Sequence, residues 1–340
     1  MSKQNNQTLD LDNKVGGGPF MLGDGNNDTV TANHAISIDI TIGDGNNDMV
    51  TSNFSGDVFI TLGDGKNDTV IANNNMGPKD FIKLGNGAND TVTANNTNDH
   101  ITLGDGNNDT VTANRSFEAE ITLGNGNNDR VTAGDETNIT LISLGNGHND
   151  TVTVDGSSNT IILGDGSNDT VTASGGGKNT ITLGDGNNDT ATVLGGDKLH
   201  HNNTTLGNGN NDTVFSGGFD TVTVGNGNDT VHVGTNDTVT VGTGHDVLAF
   251  DWNPQSAVSP LDQGPDQSKP GGIGVVTITG FDATKDVIVL QQTLATDFSH
   301  LNFQDVSGNT VVTIQGDTLD QITLVGVHSS ALHASDFQFV

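Results

Sequence analysis

The chain has no cysteine, no tyrosine and a single tryptophan among 340 residues. Without cysteine there is neither a disulfide framework nor a thiolate metal site, and nothing about the redox compartment follows. Aromatics make up 4% and hydrophobic residues 31%, so a broad core of large side chains cannot be assembled. Any core must be narrow and built from Val, Ile, Leu and Ala. Basic residues are scarce too: 11 Lys plus Arg stand against 42 Asp plus Glu, a formal net charge of −31. Phosphate backbones and anionic membranes require clustered cations, which argues against nucleic acid and membrane surfaces as partners and favours cations. No run of about 18 apolar residues occurs, and the first twenty residues hold no apolar stretch of signal-peptide length. The expectation is a chain that stays inside the cell or is exported without a cleaved N-terminal leader. Low hydrophobicity with high charge would by itself suggest disorder.

A repeat reverses that reading. The phrase Leu-Gly-Asp/Asn-Gly-x-Asn-Asp-Thr-Val-Thr recurs with its first glycine at Gly23, Gly43, Gly63, Gly85, Gly104, Gly124, Gly145, Gly164, Gly184 and Gly207, a spacing of 19 to 23 residues. It then shortens to steps of 18, 9 and 8 at Gly225, Gly234 and Gly242, in VGNGNDTV, VGTNDTV and VGTGHDVL. Each period holds two short alternating segments, such as Ile101-Thr102-Leu103 before the turn and Thr110-Val111-Thr112-Ala113 after it. Alternation is the strand signature, so Ile101, Leu103, Val111 and Ala113 face inward and the threonines outward. Two strands and two turns per period make one coil of a parallel β-solenoid, stable only through stacking on its neighbours about 4.8 Å away. The variable stretches Met76 to Asp80 and Gly195 to Asn203 are expected to be loops on the edge away from the glycine turns.

Each turn offers a Gly-x-Gly pair, expected to supply positive φ and to aim carbonyls at a common point. An aspartate follows in every copy: Asp28, Asp48, Asp68, Asp90, Asp109, Asp129, Asp150, Asp169, Asp189, Asp212, Asp229, Asp237 and Asp246. Between the glycines the residue is Asp24, Asp44, Asp64, Asp105, Asp165 or Asp185 in some copies and Asn86, Asn125, Asn146 or Asn208 in others, so that position needs an oxygen more than a charge. Oxygen donors without thiolate or paired imidazole suit Ca²⁺, which takes about 6 to 8 oxygens. One turn cannot supply that many, whereas two stacked turns can. Carboxylates repeating at about 4.8 Å also repel, by roughly 3 to 4 kcal/mol per adjacent pair at an effective permittivity near 20. The ion-free chain is therefore expected to be largely unfolded, with ion binding coupled to folding. The alternative is that Gly, Asn and Asp are simply good turn formers, laddered along a solenoid without metal.

These residues resemble the nonapeptide repeats of RTX (repeats-in-toxin) proteins, most closely in Val224 to His232, V-G-N-G-N-D-T-V-H, and on through Gly242 to Leu248. The resemblance implies a right-handed β-roll filled with multiple Ca²⁺ ions, with oxygens around Gly225, Gly227, Gly242 and Gly244 and the carboxylates of Asp229 and Asp246 as ligands. The first ten copies depart from the pattern by one extra turn residue and by carrying the motif once per coil instead of twice. The region after residue 274 resembles the family's post-repeat β segment, and the terminal Ser335-Asp336-Phe337-Gln338-Phe339-Val340 resembles an uncleaved type I secretion signal.

Relatives of that kind carry catalytic domains ahead of the repeats, but here the first copy begins by Leu22, and no His-Glu-x-x-His, Gly-x-Ser-x-Gly or phosphate-loop motif occurs. His200 and His201 are adjacent in an inserted loop, more simply solvated than metal-bound. Outward threonine pairs such as Thr91 with Thr93 and Thr110 with Thr112 resemble the faces of ice-binding solenoids, against the plainer reading that threonine suits exposed strands. The sequence thus predicts an all-β chain without catalytic residues. Its parts are an N-terminal segment (1–19), a repeat solenoid (20–250), a Pro/Gly-rich linker (251–274) and a C-terminal β cap (275–340). The function expected is a secreted, calcium-binding structural or adhesive component of a surface layer, matrix or biofilm, with self-association or cell-surface components as partners. Ice binding is the alternative.

Overall fold

A computed structural model describes residues 4–77, 79–96, 98–116, 118–138, 140–251, 272–317 and 319–340, without the side chains of 135–138. Residues 252–271, most of the expected linker, lie outside the described residues. The chain divides into two compact units, Met1–Gly166 and Ser167–Val340.

In the first unit every coil contributes one strand before its glycine turn and one after it. The post-turn strands pair in parallel and in chain order: Thr8–Asp10, Thr29–Thr31, Met49–Asn53, Thr69–Asn73, Thr91–Asn95, Thr110–Thr112, Arg130–Asn138 and Thr151–Ser157. The pre-turn strands do the same, from Phe20–Met21 and Ile38–Ile42 through Val58–Leu62, Asp80–Lys83, Asp99–Thr102, Ala119–Thr122 and Thr140–Ser143 to Thr160–Ile162. This is the expected all-β parallel β-solenoid. Repetition in sequence becomes repetition in space, since equivalent residues sit on top of one another. Ile40, Ile60, Ile82, Ile101, Ile121, Ile142 and Ile161 form one column. Val30, Val50, Val70, Val92, Val111, Val131 and Val152 form the facing one. All are buried, as are Leu103 and Ala113. β-Branched side chains suit such a pleated, two-sheet core, and each contributes about 1.5–3 kcal/mol by leaving water.

The second unit repeats the plan. Its post-turn sheet runs through Thr170–Gly175, Thr190–Val193, Thr213–Ser216, Thr230–His232 and Val247–Phe250. Val287–Leu290 and the terminal strand Phe337–Phe339 continue it in parallel. The pre-turn sheet runs from Thr180–Leu183 through Asn203–Leu206, Thr221–Thr223, Thr238–Thr240 and Val275–Thr279 to Gln321–Val325. Only then does it turn antiparallel, through Asn309–Ile314 and Leu301–Val306. The segment expected to begin the C-terminal β region, Val275–Leu290, thus extends both parallel sheets. The terminal hydrophobics form a strand, with Phe337 buried against Phe298 and Phe303.

Candidate metal centre: the glycine-turn edge

The turn is shaped by two demands. At the second glycine, the carbonyl of the preceding coil comes so close that a Cβ on Gly106 would lie 1.5 Å from the Gly87 oxygen; the same holds at Gly45, Gly65, Gly126, Gly147, Gly209, Gly227 and Gly244. Only glycine permits that approach. The left-handed residue is a different one. Positive φ was expected at the glycines, but it falls on the asparagine before the aspartate, from Asn27 at 58° to Asn168 at 65°. Asparagine tolerates this region because its short side chain bonds locally. First glycines stack as a backbone ladder, Gly104 N–H donating to Gly85 O at 2.9 Å and Gly124 N–H to Gly104 O at 3.0 Å.

The recurring aspartates face inward from this turn and are at most 1% exposed. Each Oδ1 accepts the backbone N–H of the aspartate one coil earlier. In the first unit the rungs are Asp28 to Asp48, Asp48 to Asp68, Asp68 to Asp90, Asp90 to Asp109, Asp109 to Asp129 and Asp129 to Asp150, at 2.8–2.9 Å. In the second they are Asp169 to Asp189, Asp189 to Asp212, Asp212 to Asp229 and Asp229 to Asp246, at 2.9–3.0 Å. The laddered-turn alternative raised by the sequence is therefore part of the truth, since one oxygen per aspartate is spent on the backbone.

The other oxygen is not. Oδ2 of Asp48, Asp68, Asp90, Asp109, Asp129, Asp189, Asp212, Asp229 and Asp246 is buried with no hydrogen-bond partner. It points at the second glycine: the Asp48 Oδ2 lies 2.7 Å, and the Gly25 carbonyl 1.6 Å, from where a Gly45 Cβ would be. Desolvation pushes the carboxyls of Asp68, Asp109, Asp129 and Asp229 up to about 7, and those of Asp48, Asp150, Asp189 and Asp246 to about 6. The two ends of the series differ from its middle. Before Asp28 stands Gln7, whose N–H meets Asp28 Oδ1 at 2.8 Å and whose amide reaches Oδ2 at 3.4 Å. After Asp246 stands Asp286, whose Oδ1 accepts the Asp246 N–H at 2.9 Å and whose Oδ2 accepts the Asp282 N–H at 2.7 Å.

Asp44, Asp64, Asp105, Asp165 and Asp185 sit apart on the exposed rim, and Asp24 is half-buried there. They form an outer ladder with the asparagines at the same position: Asp64 N–H to Asp44 Oδ1 at 3.1 Å, Asn125 N–H and side-chain amide to Asp105 Oδ1 at 2.8 and 2.9 Å. Among the described residues no three His, Asp or Glu side chains converge as a metal cluster. A cation at these turns would therefore draw on the inward Oδ2 atoms and glycine carbonyls of stacked turns. That all-oxygen donor set fits a hard ion such as Ca²⁺.

Gly225, Gly227 and Asp229, and Gly242, Gly244 and Asp246, stand on this edge. Asp237 does not. Its turn, Gly234 to Asp237, closes the opposite edge, where Oδ1 accepts the Asp220 N–H at 2.9 Å and Oδ2 the Gly234 N–H at 2.7 Å. The 9-residue spacing is half a coil, so successive short repeats alternate between edges. On that second edge stands a buried polar series that, Asp237 apart, the sequence reading missed: Asp80, Asp99, Thr140 and Asn159 in the first unit, Asn179, Asn202, Asp220 and Asp237 in the second. Its rungs include Asn179 N–H to Asn202 Oδ1 and Asn202 N–H to Asp220 Oδ1, both at 3.0 Å. The available signal was a polar residue at or directly before the start of most pre-turn strands, as in Phe219-Asp220-Thr221. His200 and His201 stay in an exposed loop, His200 paired with Asp197 at 2.9 Å. Comparison with protein-family models and with curated proteins finds no match to this chain.

Proposed function

We propose that this chain is a calcium-binding β-solenoid that folds around ions held along its glycine-turn edge and serves outside the cell as a structural or adhesive scaffold. One observation carries the reading: nine aspartates of stacked turns, from Asp48 to Asp246, each keep a buried oxygen without a hydrogen-bond partner, and at the two outermost rungs, Gln7–Asp28 and Asp286, a protein donor finishes it. A bare buried carboxylate oxygen costs several kcal/mol unless a proton or a cation satisfies it. Nine such oxygens left by chance in identical places would be hard to reconcile with a stable fold. The resemblance to RTX repeats in the Gly225 and Gly242 turns supports the same ion. Calcium-coupled folding also suits export of an unfolded chain, because the chain would stay open where calcium is scarce and close where it is plentiful.

The test is circular dichroism of chelator-stripped protein titrated with Ca²⁺, and in parallel Mg²⁺, from micromolar to about ten millimolar. A cooperative gain of β signal with calcium alone is expected. A chain fully folded without calcium and unmoved by it would sink the proposal.

A second reading, ice binding, draws on the register of the outward threonines: Thr93, Thr112, Thr132 and Thr153 form an unbroken column beside Thr69, Thr91 and Thr110. Met49 and Arg130 interrupt the second of these columns, and Ile71 adjoins the first at Thr93. Thermal hysteresis of the folded protein would decide for it.

A further inference from the structure

The edge opposite the glycine turns holds two places in which buried carboxylate oxygens come from successive coils, and the fold treats them differently. In the second unit, Asp220 and Asp237 are both buried, and every oxygen has a neutral donor. Asp220 takes the Asn202 N–H and amide at 3.0 Å and the Ser216 hydroxyl at 3.2 Å; Asp237 takes the N–H groups of Asp220 and Gly234. That pair is complete.

In the first unit, Asp57 directly precedes the strand Val58–Leu62, and Asp80 opens the strand of the next coil, above Val58 in register. Asp80 is 1% exposed. Its Oδ2 is held by the Asn75 side-chain amide at 2.7 Å, with Asn75 fixed in turn by the Ser55 N–H at 2.9 Å. Its Oδ1 is buried and bare, and so is the Oδ1 of Asp57. Neither residue forms an ion pair among the described residues. Gly77 keeps the space over Asp57 open, for a Cβ there would stand 2.4 Å from that oxygen. Desolvation and the neighbouring charges of Asp99 and Asp57 push the Asp80 carboxyl up to about 7. Two bare, buried carboxylate oxygens thus come from adjacent coils on this edge, one carboxylate being positioned by a dedicated amide. Neutral residues could have filled the same series, as Asn159, Asn179 and Asn202 do elsewhere on this edge.

We propose that Asp57 and Asp80 form a separate site for one hard divalent cation, with Asn75 as a positioning residue and main-chain carbonyls completing the shell. The site is independent of the glycine-turn ladder and lies outside its repeat motif. Counting ions by native mass spectrometry of the full chain in calcium tests it, comparing the wild type with Asp80→Asn, Asp57→Asn and, as control, Asp220→Asn. Asparagine already stands in the columns of Asp80 and Asp220, at Asn159 and Asn202, and Asp57→Asn keeps the shape of its side chain, so all three variants are expected to fold. Loss of one bound calcium in both Asp80→Asn and Asp57→Asn, with none lost in Asp220→Asn, is the expected result. A wild-type ion count retained in both variants would overturn the site. Should the ladder prove ion-free, the wild type would still carry a single calcium that these two substitutions remove, so the two proposals fail separately.

Discussion

The glycine-turn edge and the edge opposite it close the same two sheets, yet the first repeats the same residues coil after coil while the second varies in length and chemistry. The difference follows from how near the backbones come. On the glycine edge, successive turns touch carbonyl to Cα at the second glycine, so an extra atom there breaks the stack. On the opposite edge the chain is free to take up the 19- to 23-residue variation in coil length, and polar residues there are a mixture of Ser, Thr, Asn and Asp. Uniformity thus marks steric contact as much as ligand chemistry.

The largest test of that contrast is a pair of glycines in the first unit. Gly106→Ala is expected to cost about 3 kcal/mol or more in denaturant unfolding, because its methyl would overlap the Gly87 carbonyl. Gly134→Ala, whose nearest neighbour to a new Cβ is 3.5 Å away, should be neutral or stabilising by about 0.5–1 kcal/mol. Equal effects would erase the distinction between contact and ordinary packing.

Next comes the ladder aspartate itself. Asp109→Ala removes the acceptor of the Asp90 N–H and should cost about 1–3 kcal/mol with or without calcium. Asp109→Asn keeps an acceptor and removes the charge. It should match or exceed the wild type in chelator and gain less from added calcium, as read by thermal melts in both conditions. An Asn variant that gains as much from calcium as the wild type would mean that the carboxylate charge is irrelevant there.

Acid should separate the ion-free protein from ordinary acidic domains. Ladder carboxyls pushed up to about 6 or 7 in the fold hold protons that the unfolded chain, near 3.8, has already released. Between about pH 4 and 7 the folded form therefore binds more protons, and its stability falls as pH rises. Melting of calcium-free protein is expected to shift upward as pH drops from 7.5 to 5; a downward shift would show that the ladder is ionised without cost. The smallest effect belongs to the end rung, where Gln7→Ala should lose about 0.5–1 kcal/mol and only at that coil.

Much of this was legible in the sequence because the pattern is local. Ile101, Leu103, Val111 and Ala113 are buried and Thr102, Thr110 and Thr112 half-exposed, as alternation predicts. The twelve ladder aspartates other than Asp237 were found by repetition alone. What escaped is what depends on neighbours one coil away. Glycine was credited with positive φ, although steric contact with the preceding coil is what requires it, and that contact lies 19 to 23 residues back. Asp237 was grouped by motif, yet a half-length repeat lands on the other edge. Asp57, Asp80 and Asp220 carry no motif; only the register shows that Asp80 stacks on Asp99 and Asp220 on Asp237.

The ladders also bear on how the fold would come apart under force. Each coil is tied to the next by rungs such as Asp90 N–H to Asp109 and Thr110 N–H to Asp90 O. Pulled along the stacking direction, a coil has only its neighbour to hold it, so the chain within each unit should peel one coil at a time. Each release would free about 20 residues, roughly 70 Å of contour length. A material made of such chains would yield in small, even steps and close again coil upon coil, a shock absorber whose stiffness is set by whatever fills the bare oxygens along one edge.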